Sequence, residues 1–533
     1  MEDPILLTDA QIQRFICDGF LAFNPSVPEG LHETIDQKFR WIAENEYNPG
    51  NNISARVQEI QQIVDSPEVK GALLSLLGHD YFMIPHRFWH KPEPRKEEME
   101  TLTQERFKEI VGGNSHQDNY SPPSPGRSHG LQYLRVMYYS HPMELINGPT
   151  HVTPGSQYNG DVEDEDRARE QPVLGAAGTV FISHFDLIHA GSPNQSDRVR
   201  NMLKLLFAKA TEPGSPTWKH ECPEWKTPSD HQAPYLIENL WRQQWRWLSG
   251  ANCEKENQVE GSFLEPDQWA SMETSAKVKY IQELSLNSEC IPFLIDQLNT
   301  SHQAVRSSSI YALGEIGGAA IDPLVRKLLE AEEPEDKMTD LVGGGFSMDD
   351  EAYALTACGE DALRGAARVI GSNRPWSQVN GLQVVIDLGV ANEEILTGIE
   401  ACLQSDSDQV VSFACLALGR VGDERSLPLL LKVLKTKYDT EHHQQKLEIN
   451  KHNIWPIEYA IHFQAAFSLV RLSKYAAPYE DEILEHLHHP FGQVSMMAGE
   501  CLKRIGSASA MKSLVEFLEV RRWDASLTSQ RSF

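Results

Sequence analysis

The first residues of the chain place apolar side chains at the spacing of an α-helix. In the segment LTDAQIQRFICDGFLAF, residues 7–23, apolar positions recur three and four residues apart. Thr8 followed by Gln11 is the pattern of a capping box, and Gly19 suits the left-handed position that ends a helix. The pattern therefore predicts a short helix that is followed by the strand FLAF.

From residue 80 to residue 210 the pattern changes to short apolar runs of the kind that form β-strands. Gly, Pro, Asn and Ser separate these runs and are typical of turns. The runs are YFMIP, LQYLRVMYYS, THVTPGS, GTVFIS and MLKLLFAK. Many short strands with such turns predict an all-β sandwich or barrel with helices packed outside it.

The second half of the chain repeats one helical pattern. Copies begin at residues 304, 410 and 493 and contain ALGEIGGAAIDPL, ALGRVGDERSLPL and CLKRIGSASAMKSL. In each copy a Gly is expected to end one helix, and in the first two copies a Pro is expected to begin the next. Helix pairs that recur in this way predict an α-solenoid. The copies resemble the HEAT-like repeats of phycobilin-lyase-type proteins.

A tryptophan-rich segment separates the two patterns. Its stretch LIENLWRQQWRWL predicts a helix with a tryptophan-rich face. Such a face indicates packing between two domains, and a contact in a homodimer is the alternative. We therefore expect a multidomain α+β chain, divided into residues 1–215, a linker of interface helices at 216–262, an all-α solenoid at 263–520 and a tail at 521–533.

Charge and cysteine usage narrow the classes of partner and the location. The formal net charge is −28, and both halves of the chain are acidic. We expect no nucleic acid and no membrane as partner, because neither half offers an overall basic face to phosphate. The 8 cysteines contain no C-x-x-C pair, and the N-terminus lacks the features of a signal peptide. A cytoplasmic location is expected.

Candidate chemistry begins at the stretch NSHQDNY, residues 114–120. On a strand, His116 and Asp118 would point the same way and could reach one ion. Two histidines and one carboxylate leave positions open on Fe(II), so a second histidine is needed downstream. His189 ends a β-like run, and Arg200 follows eleven residues later. An arginine on a paired strand could clamp a carboxylate in the same cavity.

A second H-x-D pair, His184 with Asp186, offers a competing interpretation. His231 follows it downstream, and Arg242 comes eleven residues after His231. This downstream part lies in a segment rich in Pro and Trp, and no P-G-S turn lies between the two parts. We therefore favour the first pair as the metal site and a hydrogen-bonded structural role for His184.

Four motifs follow one another along the first 215 residues. They are the opening segment, HQD at 116–118, NGPTHVTPGSQYNG at 147–160, and H-x-G-S-x-N-x-S-x-x-x-R from His189 to Arg200. Together they resemble a phytanoyl-CoA-dioxygenase-type Fe(II)/2-oxoglutarate oxygenase. That family has a double-stranded β-helix, a jelly-roll or cupin-like fold, which the resemblance implies for this part of the chain.

The resemblance also implies a set of site residues. The implied iron ligands are His116, Asp118 and His189. Arg200 is implied to bind the C5 carboxylate of 2-oxoglutarate. Three further residues are candidate contacts of this co-substrate: Gln117, Arg135 and Ser196.

Two positions depart from the family's pattern. Gln157 stands where the family usually has a histidine in P-G-S-H, a position that is not a ligand. Arg135 stands where relatives often carry a neutral polar residue. If Arg135 faces inward together with Met137 and Tyr139, it could touch the co-substrate or an acidic substrate; an outward salt bridge is the alternative.

The expected activity is that of a non-haem Fe(II)- and 2-oxoglutarate-dependent dioxygenase, with O2 as oxidant and ascorbate as a supporting reductant. The carboxylate of Asp118 favours hydroxylation or another oxidation over halogenation, because halogenases of this type have Ala or Gly there. The preferred substrate is a small molecule or an acyl group, and the solenoid is assigned to protein interaction or self-association. One alternative is a protein, peptide or carrier-bound substrate presented by the solenoid. Another is a non-catalytic scaffold.

Overall fold

The computed structural model describes most of the chain. The described residues are 3–46, 48–92, 94, 110–111, 113–118, 126–251, 266–284, 287–334, 347–438 and 457–521. Their strands are β1 (Phe20–Phe23), β2 (Tyr81–His90), β3 (Tyr133–Tyr139), β4 (Thr150–Val152), β5 (Gln171–Pro172), β6 (Val180–His184), β7 (His189–Gly191) and β8 (Met202–Lys209).

Helices flank the strands in the first half and make up the second half. In the first half they are α1 (Asp9–Asp18), α2 (Leu31–Asn45), α3 (Ile53–Arg56), α4 (Ile60–Val64), α5 (Pro67–Leu77), α6 (Asp164–Ala168) and α7 (Glu238–Leu248). In the second half they are α8 (Pro266–Ser271), α9 (Thr274–Leu284), α10 (Ile291–Gln297), α11 (Gln303–Ile316), α12 (Gly318–Glu330), α13 (Asp350–Ala357), α14 (Leu363–Ile370), α15 (Pro375–Leu388), α16 (Glu393–Cys402), α17 (Asp408–Val421), α18 (Ser426–Lys435), α19 (Ile457–Arg471), α20 (Glu480–Leu484), α21 (Gly492–Ile505) and α22 (Ala508–Arg521).

The first helix has the ends that its sequence predicts. The Thr8 hydroxyl accepts from the backbone N–H of Gln11, and the Gln11 side chain accepts from the backbone N–H of Thr8. Gly19 ends the helix in the left-handed region with φ of 80°. Gln157, one of the two departures from the family pattern, donates to the carbonyl of Ile16 at 2.8 Å and so anchors its loop to this helix.

Five of the strands form an antiparallel sheet in the order β1-β6-β3-β8-β2. On β3, Arg135 lies opposite Ser183 on one side and Leu206 on the other. Two residues further on, Met137 lies opposite Lys204. Opposed residues of an antiparallel pair, and residues two apart on one strand, point to the same face. Arg135 and Lys204 therefore share one face of the large sheet.

A smaller antiparallel sheet has the order β5-β4-β7. The segment at His116 extends its edge through an antiparallel bridge to His189. The described strands form two separate sheets and no closed barrel. The predicted jelly-roll arrangement is therefore not confirmed.

A small apolar core joins the two sheets. It contains Met137 and Phe181 from the large sheet, Val152 from the small sheet, and Leu187 from the loop before β7. Tyr139 belongs to the same core, so Arg135, Met137 and Tyr139 all face inward. The alternative of an outward salt bridge for Arg135 is wrong.

The second half is helical, as the sequence predicts, and consecutive helices form pairs. Glycines follow the first helix of each predicted copy, at Gly317, Gly422 and Gly506. The expectation that a proline begins the second helix is wrong. Pro323 lies inside α12, and Pro428 lies in the third position of α18, because the residues before each proline already belong to the first turn of the helix.

The two halves pack directly against each other. The ring of Phe467 from α19 lies 5.3 Å from that of Phe82 on β2 and 6.1 Å from that of Tyr133 on β3, measured between centroids. Arg471 on the same helix donates to the carbonyl of Lys209 at 2.6 Å. The solenoid therefore covers one end of the large sheet.

The tryptophan-rich helix α7 lies in this junction. Trp241 and Trp245 are buried, and the amide of Asn239 donates to the carbonyl of Ser308 in α11 at 2.9 Å.

The division of the chain into four parts stays a prediction. Of the tail predicted at 521–533, the structure describes Arg521, and residues 522–533 lie outside the described residues. Among the helices described, none is long and apolar enough to span a membrane.

Candidate metal centre

Two histidines face each other across adjacent strands. The backbone N–H of His116 donates to the carbonyl of His189 at 3.0 Å, and that of His189 donates to the carbonyl of His116 at 3.0 Å. Such an exchange makes them directly opposed residues whose side chains point to one face. Their imidazole centroids lie 4.4 Å apart.

Asp118 completes the cluster from two residues further along the chain. One carboxylate oxygen lies 3.8 Å from Nε2 of His116, and the other lies 3.7 Å from Nε2 of His189. The three ligand atoms lie within 4.8 Å of one another. Among the described residues this is the group of His, Cys, Asp and Glu side chains that could hold a metal ion.

Both imidazoles are turned by the backbone so that Nε2 points to the cluster. Nδ1 of His116 lies 2.7 Å from the carbonyl of Asn114, and Nδ1 of His189 lies 3.1 Å from the carbonyl of Leu187. A carbonyl only accepts, so the proton is on Nδ1 and the lone pair is on Nε2. This is how metal-binding histidines are commonly oriented. The 3.3 Å contact between Nδ1 of His189 and Arg135 is then no hydrogen bond, because both groups only donate.

Two buried cations surround the carboxylate. Arg135 contacts one oxygen of Asp118 at 2.6 Å, and the Lys204 ammonium lies 3.2 Å from both oxygens. Burial opposes ionisation of Asp118, but the charges of Arg135 and Lys204 outweigh burial and hold its pKa well below the usual range. The carboxylate is therefore charged, as a metal ligand must be.

The charge state of His189 also suits a ligand. Burial and the positive charge of Arg135 hold the pKa of His189 well below its usual value. The imidazole is therefore neutral near pH 7 and keeps its lone pair for a metal. The side chain of His116 is half exposed, whereas those of Asp118 and His189 are buried. The cluster is thus open to solvent on the His116 side.

The donor set fits a non-haem Fe(II) ion. Two imidazole nitrogens and a carboxylate on one face are the ligands of that class of site, and they leave further positions for co-substrate and O2. The two cations on Asp118 do not remove a ligand atom, because a carboxylate has about four lone-pair sites. Divalent metal would, however, share this small space with two positive charges.

Arg200 occupies a buried position after the loop that follows β7. Its Nη1 donates to the carbonyl of Gly148, and its Nε finds no hydrogen-bond partner in the part of the chain that the structure describes. Burial lowers the pKa of the guanidinium, and the neighbouring Tyr139 opposes part of this shift. Among the described residues it forms no ion pair with a carboxylate. A buried guanidinium with a donor to spare fits an acidic ligand.

Two other predicted co-substrate contacts lie in structural positions. The amide of Gln117 donates to the carbonyls of Asn159 and Asp186 at 3.0 and 2.8 Å. The Ser196 hydroxyl donates to the side chain of Asn194 at 2.7 Å and so shapes the loop before Arg200. A role of either residue in co-substrate binding stays a prediction.

The competing pair of His184 and Asp186 has other partners. Asp186 accepts from Arg127 at 2.8 Å, and Nδ1 of His184 accepts from the backbone N–H of Asp186 at 3.1 Å. Burial and the charge of Arg135 lower the pKa of His184 to about 3. The ring of His231 packs against Trp241 at 5.3 Å and is not part of a metal cluster among the described residues.

Sequence reasoning missed Lys204. The run MLKLLFAK was recognised as a strand, but its lysine was not assigned to a side of the sheet. The signal was present in the alternation: Lys204 shares a face with Met202 and Leu206, which are apolar and buried. A lysine at an apolar, inward position needs a carboxylate partner, and Asp118 is that partner.

The fold and this centre define the class of molecule. Two antiparallel sheets carry a 2-His-1-carboxylate cluster and a buried arginine, and a helical solenoid follows. Residues 15–202 match the family described as phytanoyl-CoA dioxygenase (PhyH), and residues 305–330 and 414–436 match the PBS lyase HEAT-like repeat. The chain therefore contains a PhyH-family domain followed by PBS lyase HEAT-like repeats, as the sequence motifs predicted.

Comparison with curated proteins gives no match. Among solved structures, the carbocyclase SnoK, titled as non-haem and α-ketoglutarate dependent, is 16% identical and has a TM-score of 0.30; the match covers 39% of this chain and 88% of SnoK. HygX from Streptomyces hygroscopicus, solved with nickel and 2-oxoglutarate, is 13% identical with a TM-score of 0.29, over 38% of this chain and 87% of HygX. The non-haem monooxygenase ThoJ in its nickel complex is 19% identical with a TM-score of 0.26, over 39% of this chain and 83% of ThoJ.

Proposed function

We propose that this chain is a non-haem Fe(II)- and 2-oxoglutarate-dependent oxygenase whose iron ligands are His116, Asp118 and His189. The observation that carries the proposal is the cluster itself. Its three ligand atoms lie within 4.8 Å of one another, and both imidazoles present Nε2 to the same point. The PhyH match over residues 15–202 supports the same class.

Arg200 is the proposed clamp for the far carboxylate of 2-oxoglutarate. The support is its burial, the unpaired Nε, and the absence of a carboxylate partner among the described residues. A guanidinium in that state is stabilised when an acidic ligand completes its hydrogen bonds. Asn194 and Ser196 would then act through Arg200, because they fix the loop that leads to it.

The iron, when bound, supplies the activation of O2 and the oxidation of the substrate. The chain's own residues have simpler tasks. His116, Asp118 and His189 hold the metal on one face. Met137, Phe181 and Leu187 belong to the apolar core that joins the two sheets, and the carbonyl of Leu187 orients the ring of His189. We also propose that the two sheets are the two halves of a double-stranded β-helix.

The proposed substrate is a small molecule or an acyl group that enters from the side where His116 is half exposed. A protein or carrier-bound substrate presented by the solenoid is the second option. The solenoid is fixed to the end of the large sheet through Phe467 and Arg471, so any such presentation would use a rigid surface. The HEAT-like repeats are proposed to serve protein interaction.

A non-catalytic scaffold is a separate candidate, and one observation favours it. Arg135 and Lys204 neutralise Asp118 within the protein, so the cluster is electrostatically satisfied without a metal. A site that needs no ion to fold could persist in a protein that has lost catalysis.

Uncoupled turnover separates the two candidates. The full chain is mixed with Fe(II), 2-oxoglutarate and ascorbate in air, and succinate is measured over time. The oxygenase predicts succinate that depends on each addition, and Arg200→Ala should mainly raise the 2-oxoglutarate concentration required. No succinate together with no retained iron would leave the scaffold as the better account.

A further inference from the structure

A cavity of about 430 Å³ lies between the loop that precedes β3, helix α7 and the helices of the solenoid. Its volume is within the usual range of small-molecule sites. It is separate from the metal cluster, since none of the three ligands lines it. The lining residues that matter here are His129, Trp247, Tyr311, Tyr353, Glu360 and Asp387.

The charged residues around the cavity are acidic. Among the described residues that line it are Glu360, Asp361 and Asp387, and none of those described lining residues is a lysine or an arginine. Asp387 accepts from the Ser128 hydroxyl at 2.6 Å and, among the described residues, forms no ion pair, although the charge of Arg420, which does not line the cavity, favours its ionised form. Burial raises the pKa of Asp387 to about 6, so the carboxylate is charged at neutral pH at an energetic cost.

Aromatic rings make up much of the wall. His129 stacks on Tyr353 with centroids 4.3 Å apart and contacts Tyr311 at 5.8 Å. Trp247, from helix α7, also lines the cavity. Burial lowers the pKa of His129 to about 3, so its ring is neutral and adds no positive charge.

Hydrogen bonds between the elements hold the wall in place. Nδ1 of His129 lies 2.9 Å from the hydroxyl of Tyr311, and the amide of Gln244 donates to the same hydroxyl at 3.2 Å. The hydroxyl of Tyr353 donates to the carbonyl of Arg127 at 2.9 Å. The cavity is therefore largely preformed, which lowers the entropic cost of binding.

The ammonium of Lys209 does not complete the site. Nζ of Lys209 lies 4.4 Å from the centroid of Trp247, which already makes this ring a cation–π partner. Lys209 is buried behind the ring and does not line the cavity. The charged neighbour that favours its protonated form is Glu212 rather than Asp387. The charged side chains among the described lining residues therefore remain the carboxylates of Glu360, Asp361 and Asp387.

We propose that this cavity binds a small organic cation, a protonated amine or a quaternary ammonium. Asp387 would pair with the charge, Trp247, Tyr311 and Tyr353 would contact the alkyl groups, and Glu360 at the rim would attract the ligand. Aromatic rings with a carboxylate are the usual protein environment for such cations. The inference does not depend on the proposed oxygenase activity.

Calorimetric titration of the full chain with choline tests the proposal, and 3,3-dimethylbutan-1-ol is the matched probe. The two molecules have nearly the same shape, but only choline is charged. Saturable binding of choline with no binding of the neutral alcohol is the expected result. Equal binding of both, or no binding of choline by the folded protein, would overturn the assignment.

Variants place the binding in the cavity. Asp387→Asn should weaken choline binding at least about tenfold, since it removes the buried charge that the cation meets. Glu360→Gln, on the exposed rim, should weaken it by about twofold to threefold. Asp322→Asn, on an exposed part of α12, is the control and should leave it unchanged. Unchanged affinity in both cavity variants, with their melting temperatures preserved, would contradict the site.

Discussion

At the scale of single residues, the unusual feature of the metal centre is the pair of cations on its carboxylate. Lys204 lies on the same inward face as Arg135, and both contact Asp118. A divalent metal at this point is therefore repelled by two charges, while a doubly negative co-substrate is attracted by them. Metal and co-substrate binding should consequently respond in opposite directions to removal of one cation.

Lys204→Met tests this balance. The variant should bind Ni(II) about tenfold more tightly than the wild type, because one nearby positive charge is lost. For the same reason, the metal-loaded variant should bind 2-oxoglutarate about tenfold more weakly than the metal-loaded wild type. Calorimetry measures both constants. Lys204→Arg keeps the charge and is the control. A variant in which both affinities fall would show that Lys204 shapes the site rather than sets its charge.

Asp387 gives a prediction for stability against pH. Its pKa is raised to about 6 by burial, which outweighs the hydrogen bond from Ser128 and the attraction of Arg420, while Glu212 adds repulsion. The folded state thus holds the proton more tightly than the unfolded state, and the stability from this group is lost as pH rises from about 4 to about 6.

Asp387→Asn removes that cost. Above pH 7 the variant should be more stable to urea than the wild type by roughly 2 kcal/mol, and the difference should shrink as the pH is lowered to 5. An Asn side chain can still accept from Ser128, so the hydrogen bond is kept. A difference that is independent of pH would mean that packing, not ionisation, is responsible.

At the scale of elements, the first helix and the segment that carries His116 and Asp118 differ in how far the sequence determines them. The capping pair Thr8 and Gln11 and the terminal Gly19 act through local backbone hydrogen bonds, so the sequence predicts the helix directly. The H-x-D spacing likewise predicts that His116 and Asp118 share a face. The sequence alone does not place His189 opposite His116, because that depends on which strands become neighbours.

Other features of the elements follow from long-range packing and were not predictable. Pro323 and Pro428 lie inside helices, where the periodic pattern had placed helix starts. The preference for the first of two H-x-D pairs came from the motifs around them, and its assignment as the metal site stays a prediction. The ion pair of Asp186 with Arg127, which occupies the second pair, has no trace in local sequence.

Gly19 offers a test of packing at the end of α1. A Cβ at this position would lie 2.5 Å from the amide oxygen of Gln157 and 2.7 Å from a methyl of Leu187. Gly30 has nearly the same φ, 79°, but a Cβ there meets nothing within 4 Å. Both Gly→Ala changes carry backbone strain of about 1 kcal/mol, and Gly19→Ala should cost about 1–3 kcal/mol more because of overlap. Equal losses in urea denaturation would contradict this packing.

At the scale of the whole molecule, the solenoid and the sheet domain are joined by a buried charge cluster. Arg420 and Arg471 contact the same carboxylate oxygen of Glu212 at 2.6 and 2.9 Å. Lys209 lies beside them, and burial lowers its pKa to about 7. One carboxylate therefore holds three cations together at the junction, and the halves should unfold as one unit.

Glu212→Gln tests that junction. Removing one partner from a buried ion pair leaves its partners uncompensated, so the variant should lose about 2–3 kcal/mol of unfolding free energy. Glu221→Gln, whose exposed carboxylate pairs with Lys219 on the surface, should change it by less than about 0.5 kcal/mol. Urea denaturation followed by tryptophan fluorescence measures both. Similar small losses would show that the two halves are held by apolar contacts alone.

The most direct test of the account is anaerobic Fe(II) binding to three forms of the full chain, measured as bound iron per chain after desalting. The wild type and Asp186→Asn should each retain one equivalent of iron, while Asp118→Asn should retain essentially none. The two substitutions are matched, because each removes the charge of the aspartate in an H-x-D pair. Iron retained by Asp118→Asn, or lost in Asp186→Asn while the fold is intact, would contradict the assignment of His116, Asp118 and His189 as the metal centre.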